Sequence, residues 1–234
     1  MGKRNALRFA AEGAIVIAND VNAASAGALV AELARSKAEA MLAVGSVADT
    51  EAVGRMVDAA LSRFGRIDVL VNNAGIGPAT RPLDRITGDE WDRTLAVDLT
   101  GVFNCMRAVL PGMKERRYGK IVNISSSAGR SVSTFAGAHY TAAKAGVLGL
   151  TRHAAFEYAP YNININAIAP GTIDTELLRG AVSADRIAEE ALKIPLRRIG
   201  TVDDESNLVL FLASEESSYI TGATIDINGA DLLL

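Results

Sequence analysis

Cysteine is almost absent. The single one, Cys105, excludes an internal disulfide framework, and its place in the apolar run Val102 to Leu110 fits a small core residue better than a nucleophile. A reducing cytoplasm suits such a chain. Long apolar runs are also lacking: none approaches the roughly eighteen residues that a membrane span needs, and no charged, apolar and cleavable segment opens the chain. A soluble protein is expected. Nor is there a basic stripe, since the net charge is -3 and clusters such as Lys114 to Arg117 read as solvated helix ends, so no nucleic-acid partner is expected. Internal repeats, low-complexity stretches and linkers are missing, which points to one domain over residues 1–234. No metal site is expected. What the chain does have is hydrophobic content, 49%, ample for a buried sheet.

The stretch His139 to Tyr158 organises the rest. Ala142, Ala143, Ala145, Val147, Leu148, Leu150, Ala154, Ala155 and Phe156 spread apolar side chains over much of a helix surface, predicting a largely buried helix. Tyr140 and Lys144 stand four residues apart within it, which puts phenol and ammonium on one helix face. A phenol with an ordinary pKa of about 10 is a poor acid or base at neutral pH, and a neighbouring cation favours phenolate by Coulomb attraction. By itself Y-x-x-x-K is short enough to be incidental. Context decides.

Asn72-Asn73-Ala74-Gly75 follows one apolar run, Ile121 to Ser127 precedes the helix, and Pro170-Gly171-Thr172-Ile173-Asp174-Thr175 follows it, in that order. With Y-x-x-x-K these resemble the short-chain dehydrogenase/reductase family over about Gly2 to Gly229. The resemblance implies an α/β fold: a doubly wound, mostly parallel Rossmann-like sheet flanked by helices. It also implies a tyrosine, Tyr140, that exchanges a proton with a secondary alcohol or ketone while a nicotinamide exchanges the hydride, and packing into a dimer or tetramer. By similarity Ser126 holds the substrate oxygen, with Ser125 and Ser127 as runners-up. Lys144 bonds the nicotinamide ribose, and Pro170-Gly171, Ile173 and Thr175 flank the nicotinamide.

The chain's opening departs from that pattern. In the family a buried strand and a turn T-G-x-x-x-G-x-G lead into a helix, and here Gly2 alone stands at the place of the last glycine. The sheet is therefore expected without its first strand and the pyrophosphate without most of its glycine-turn amides. Met1 to Glu12 reads as a helix with Ala6, Leu7, Phe9 and Ala10 toward the core, ended by Gly13. Ala14 to Ala18 is a strand, after which Asp20 can accept from both adenosine ribose hydroxyls and repel a 2′-phosphate, favouring NAD over NADP; an Asx turn is the plain alternative. Helices are expected at Ala23 to Ser36 and Thr50 to Phe64, and a third strand at Met41 to Val44. Ser46-Val47 resembles the family's adenine-contacting pair, with Val47 the candidate contact.

Asp68 to Val71 predicts the next strand. Asn73, Ala74 and Gly75 at its carboxyl end admit a cofactor close to the backbone, or form a plain turn. A loop is expected from Pro78 to Leu83, then a capping box at Thr87 and Glu90 starting one helix to about Leu110. It carries Asp98 where the family has asparagine, a candidate relay residue or a partner-bonded carboxylate. Strands at Lys120 to Ser125, Asn162 to Ala169 and Thr224 to Ile227, a substrate lid at Thr175 to Ile199 and a helix at Val202 to Ser214 complete the reading. The competing function is a non-catalytic binding or oligomerising protein on the same scaffold.

Overall fold

The computed structural model describes residues 1–77, 79–133 and 135–234; Pro78, where the expected loop to Leu83 begins, lies outside them. The chain enters α1 (Gly2–Ala11) directly, and Gly13 leaves it at a positive φ of 85°. After β1 (Val16–Asp20), the Asn22 carboxamide accepts from the Ala24 and Ser25 amides and so starts α2 (Ala23–Arg35). Following β2 (Ala40–Val44), Asp49 caps α3 (Thr50–Phe64) in the same way, and Gly65 at φ 78° stops it. β3 (Val69–Asn72) leads to the Thr87–Glu90 capping box and α4 (Gly88–Leu95).

Here the expected single helix differs. The chain widens into a π-turn over Ala96–Thr100 and continues as α5 (Gly101–Arg116), past Pro111 and the anticipated end at Leu110. Such turns interrupt the regular helical ladder and recur at functional sites. β4 (Gly119–Ile124), α6 (Ala138–Tyr158), β5 (Ile163–Pro170), α7 (Glu176–Ala181), α8 (Ala184–Lys193), α9 (Val202–Ala213) and β6 (Thr224–Ile227) complete the order. The expected lid is thus helical.

Every strand pair is parallel, and the four-stranded sheet runs β3-β4-β5-β6. Alternation along β4 and β5 sends Ile121, Ile163 and Ile165 into a cluster with Met106, Met113 and Val147, and sends Val122, Ile124 and Ile168 into a second with Val209 and Leu212. The two clusters lie on opposite faces. Covered on both sides, β4 and β5 are buried at every residue, the sequence signature of a doubly wound core.

The sheet is split. β1 pairs only with β2, in a ladder of its own from Val16 and Ala40 to Asp20 and Val44, and β3 pairs only with β4. No strand among the described residues lies between β1 and β3. α1 is held instead against α9, where Arg4 Nε donates to Asp203 at 2.6 Å and Arg8 to Asn207 at 2.7 Å. The residue that α1 buries is Asn5, donating to the fully buried Glu205 at 3.2 Å, while Ala6, Leu7, Phe9 and Ala10 are only half-buried. The apolar stripe therefore marked a flank, and the buried contact is polar. A second correction falls on α6: Phe156 is 85% exposed and Ala145 is also exposed, because they point away from the sheet on a face that this chain does not cover.

Candidate active site

The carboxyl ends of β3, β4 and β5 converge on the first turns of α6. Its Gly137 start places Tyr140 half-buried and Lys144 5% exposed one turn on. The Lys144 Nζ donates to the Ile124 carbonyl at 3.1 Å, lies 5.6 Å from the centre of the Tyr140 ring and 3.7 Å from Asp98 Oδ2. Helix spacing and the end of β4 thus put ammonium and phenol together. Backbone fixes the lysine from behind: Ser125 Oγ donates to the Lys144 carbonyl at 2.8 Å, and a side chain at Gly129 would strike that same carbonyl at 2.7 Å.

That hydrogen bond separates the serines. Ser125 is buried and committed to α6, whereas Ser126 is half-buried with Oγ accepting only from the Ala128 amide at 3.2 Å, and Ser127 opens the following 3₁₀ turn. Among the described residues neither the Ser126 nor the Ser127 hydroxyl donates a hydrogen bond, so Ser125 alone of the three is committed.

Asp98, in the π-turn, is 0% exposed. Its Oδ1 accepts from the Ile76 amide at 2.8 Å and its Oδ2 has no hydrogen-bond partner among the described residues. Burial pushes its carboxyl above the usual range, against the opposing pull of Lys144 and the Ile76 amide. Gly75 sits over the pair, since a Cβ there would lie 3.5 Å from both Asp98 Oδ1 and Lys144 Nζ. Ala74 and Gly75 are exposed, so the backbone at the end of β3 is open to a ligand. Asn73 is half-buried, with Oδ1 enclosed and without a partner among the described residues, and Gly2 packs so closely that a Cβ there would lie 2.6 Å from its Nδ2. The start of α1 therefore reaches the end of β3.

The remaining candidates are spread around this centre. Pro170 is buried at the end of β5, the Gly171 amide donates to Ile227 at 3.0 Å, the buried Ile173 bridges to Gly200, and Thr175 caps α7. α7 folds over the loop after β3: Leu177 Cδ2 lies 3.5 Å from where a Gly77 Cβ would stand. Asp20 is exposed at the end of β1 and accepts from the Asn22 amide at 2.9 Å, the Asx turn, with its other oxygen free of recorded partners. Val47 joins the two-stranded unit to α5, its Cγ2 filling the space over Gly101 and its carbonyl accepting from Asn104 at 3.0 Å. Cys105 is buried, and burial alone pushes its thiol up to about 11, as suits a core residue.

Sequence reasoning missed one participant: the Ile124 carbonyl that anchors Lys144 is backbone and has no sequence signal. His139, directly before Tyr140, is 1% exposed with neither ring nitrogen partnered among the described residues.

A dinucleotide fits the part of this site around β3 to β5. The orphaned Asn73 oxygen, the open Ala74-Gly75 backbone and the Lys144 ammonium form a floor with polar handles. The pyrophosphate end offers only the start of α1, whose Met1 side chain makes no capping bond to the first-turn amides. Among the described residues no group of His, Cys, Asp and Glu suits a metal ion, and no helix is long and apolar enough to cross a membrane.

Comparison with known proteins agrees with this arrangement. A protein-family model described as Enoyl-(Acyl carrier protein) reductase matches residues 1–229. A short-chain type dehydrogenase/reductase of Sinorhizobium fredii is 40% identical over 100% of this chain and 92% of its own. A 3-oxoacyl-[acyl-carrier-protein] reductase of Thermotoga maritima is 41% identical over 98% and 92%. Among solved structures, levodione reductase superposes with a TM-score of 0.94 at 35% identity, covering 98% of this chain and 92% of that one. A 3-oxoacyl-[acyl-carrier protein] reductase from Brucella melitensis with bound NAD gives 0.87 at 35% identity, covering 97% and 84%. The chain is an oxidoreductase of the short-chain dehydrogenase/reductase family.

Proposed function

We propose that this protein interconverts a secondary alcohol and a ketone with NAD as the preferred dinucleotide, Tyr140 giving and taking the proton at the substrate oxygen. The observation that carries the reading is the buried Lys144 ammonium, held by the Ile124 carbonyl over the Tyr140 ring. Its positive charge, on the same helix face one turn away, lies where negative charge develops on the Tyr140 oxygen as the proton leaves. Ser126 Oγ donates to the substrate oxygen and holds the carbon in place. The nicotinamide, when bound, supplies or accepts the hydride. Lys144 bonds its ribose, Asn73, Ala74, Gly75, Pro170, Gly171, Ile173 and Thr175 hold the nicotinamide side, and Gly2, Asp20 and Val47 hold the adenosine side. Asp20 supports NAD because its exposed carboxylate repels a 2′-phosphate.

We read the protein as one domain and a homo-oligomer, a dimer or tetramer, in the cytoplasm. The uncovered Phe103 and Phe156 on the outer faces of α5 and α6 support self-association. No nucleic acid or membrane partner enters this reading. A second reading, a catalytically impaired member acting by binding or assembly, draws support from one feature, the split between β1 and β3.

Tyr140→Phe separates them. It removes the proton donor and keeps the ring, so turnover should disappear while NADH affinity, followed by nicotinamide fluorescence, stays within about twofold. A variant that keeps turnover within about tenfold of the parent defeats the assignment.

A further inference from the structure

Arg130 closes the turn that carries Ser126. After Ser125, whose amide donates to the Ile168 carbonyl at 2.9 Å, the chain leaves the sheet and winds through Ser127–Gly129. The turn is held by bonds of its own. The Ala128 amide donates to Ser126 Oγ at 3.2 Å, the Gly129 amide to the Ser126 carbonyl at 2.9 Å, and the Arg130 and Ser131 amides to the Ser127 carbonyl at 3.0 Å. Such local bonds fix the shape of a turn and not its place on the fold. Among the described residues, the polar ties from residues 126–131 to the rest of the fold both come from the Arg130 guanidinium.

That guanidinium reaches β6. Its Nη2 donates to the Thr224 carbonyl at 2.6 Å, 94 residues away in sequence, and its Nε lies 3.1 Å from Asp226 Oδ1. In the sheet β6 is two strands from β4, whose carboxyl end the turn follows, a span of about 10 Å at ordinary strand spacing. Nε and Oδ1 are both enclosed, and neither has a hydrogen bond elsewhere among the described residues, so each depends on the other. A planar guanidinium set against a carbonyl and a carboxylate of one strand is oriented as well as attracted. Gly129 supplies the opposing contact. A Cβ there would lie 2.7 Å from the Lys144 carbonyl and 2.9 Å from Ser125 Oγ, so the residue before Arg130 is pressed against the part of α6 that carries Lys144. The turn is thus held to β6 by Arg130 and stopped against α6 at Gly129.

We propose that Arg130 is a positioning residue for the reaction, bracing the Ser126 hydroxyl in place for the substrate oxygen through its tie to β6. The inference rests on the reading of Ser126 given above. Arg130 itself takes no part in proton or hydride transfer. With its guanidinium removed, the local bonds keep the turn folded, but the turn can swing on Ser125 and Ser126 moves with it. A displacement of about 1 Å in a group that must meet the reacting atoms can cost about a hundredfold in rate. Lys144 keeps its place, because the Ile124 carbonyl and Ser125 Oγ hold it from the β4 side. The expected defect therefore falls on turnover and not on dinucleotide affinity.

Two measurements on the intact chain test this. In a double-mutant cycle, Arg130→Ala should lower kcat by about tenfold or more in the parent, with NADH affinity within about twofold, and should change kcat by less than about twofold once Ser126 is alanine. A purely structural role predicts the same proportional loss in both backgrounds. That result, or an undiminished kcat in Arg130→Ala, overturns the proposal. If the alanine variant loses its cooperative melt, Arg130→Lys takes its place in the cycle: a single ammonium replaces the fork only in part, so a smaller loss is expected, again confined to the background that keeps Ser126, and the same outcomes overturn it. Amide exchange gives a readout that does not depend on turnover. Exchange at Ala128 and Gly129 should quicken by about tenfold or more in Arg130→Ala, or to a lesser degree in Arg130→Lys, while the amides of β4 keep their protection. Unaltered exchange at both residues overturns the brace, whatever the activity. Failure of the catalytic reading shows itself separately, as a Ser126→Ala variant with full turnover.

Discussion

The open slot between β1 and β3 sets a defined expectation for cofactor affinity. β1 offers five residues and β3 four with one unpaired edge each, and α1 begins beside Asn73 with first-turn amides that no side chain caps. The family pattern places a buried strand and a turn T-G-x-x-x-G-I-G at this point, so a fusion supplying both ahead of Lys3 should pair with both edges and present new amides to the pyrophosphate. A hydrogen bond to a charged acceptor contributes about 1.5–3 kcal/mol, and two of them give about 3 kcal/mol. At about 1.4 kcal/mol per decade this is close to a hundredfold in Kd, and ordering of the new segment takes back part of it. An increase of at least about tenfold in NADH affinity is therefore expected. Fluorescence titration of NADH measures it. A fusion with the strand but with alanines in place of the glycines controls for folding: it should gain amide-exchange protection along Val16–Asp20 and Val69–Asn72 without most of the affinity. The reasoning is refuted if the unextended chain already binds NADH at low micromolar concentration, or if the full fusion binds no more tightly than the alanine control.

Much of this site follows from local chemistry. Tyr140 and Lys144 meet because residues four apart share a helix face, and Asp49, Asn22 and the Thr87–Glu90 pair start helices because their side chains accept from otherwise orphaned amides. Strand positions followed from apolar runs, with ends displaced by two residues at most and Thr224–Ile227 matched at both ends. What stayed hidden depends on tertiary partners. Nothing local distinguishes the π-turn at Ala96–Thr100 from an ordinary helix, because the widening is set by the burial of Asp98 against Ile76 and Lys144. Asn5 and Glu205 stand 200 residues apart, so their buried contact has no short-range trace. Phe156 was misplaced because hydropathy counts an apolar residue as buried whether its cover is this chain or another.

Three further predictions concern the acidic residues. Asp20→Ala should narrow the preference for NAD over NADP, read as the ratio of the two kcat/KM values; an unchanged ratio leaves Asp20 as an Asx-turn residue. Asp98→Asn should keep or raise kcat if the carboxylate only hinders proton relay at Lys144, and a large loss of kcat means that the charge is used. Because folding raises the Asp98 pKa above its ordinary 3.8, the native state binds more protons than the unfolded one, and stability falls as pH rises from near that value; the asparagine variant should lose this slope in urea melts at stepped pH. Glu205 extends the same logic to the α1–α9 contact. Burial raises its carboxyl, only partly offset by Asn5, the chain's N-terminal ammonium and Ser206, and Oε2 and Asn5 Oδ1 are both enclosed without partners. Above its ordinary value of 4.5, folding must therefore either hold the Glu205 proton or bury its charge, and either costs stability. Glu205→Gln removes the charge, keeps the acceptor for Asn5 Nδ2 and replaces one orphaned acceptor by a donor. It should stabilise the fold at pH 7 by about 1–3 kcal/mol. That gain should shrink toward pH 4, where Glu205 takes up its proton and the two side chains become electrically alike. Glu205→Ala, which leaves Asn5 unpaired and opens a void, should destabilise at both pH values. A glutamine variant less stable than the parent at pH 7, with an unaltered m-value, means that the charge itself holds α1 in place.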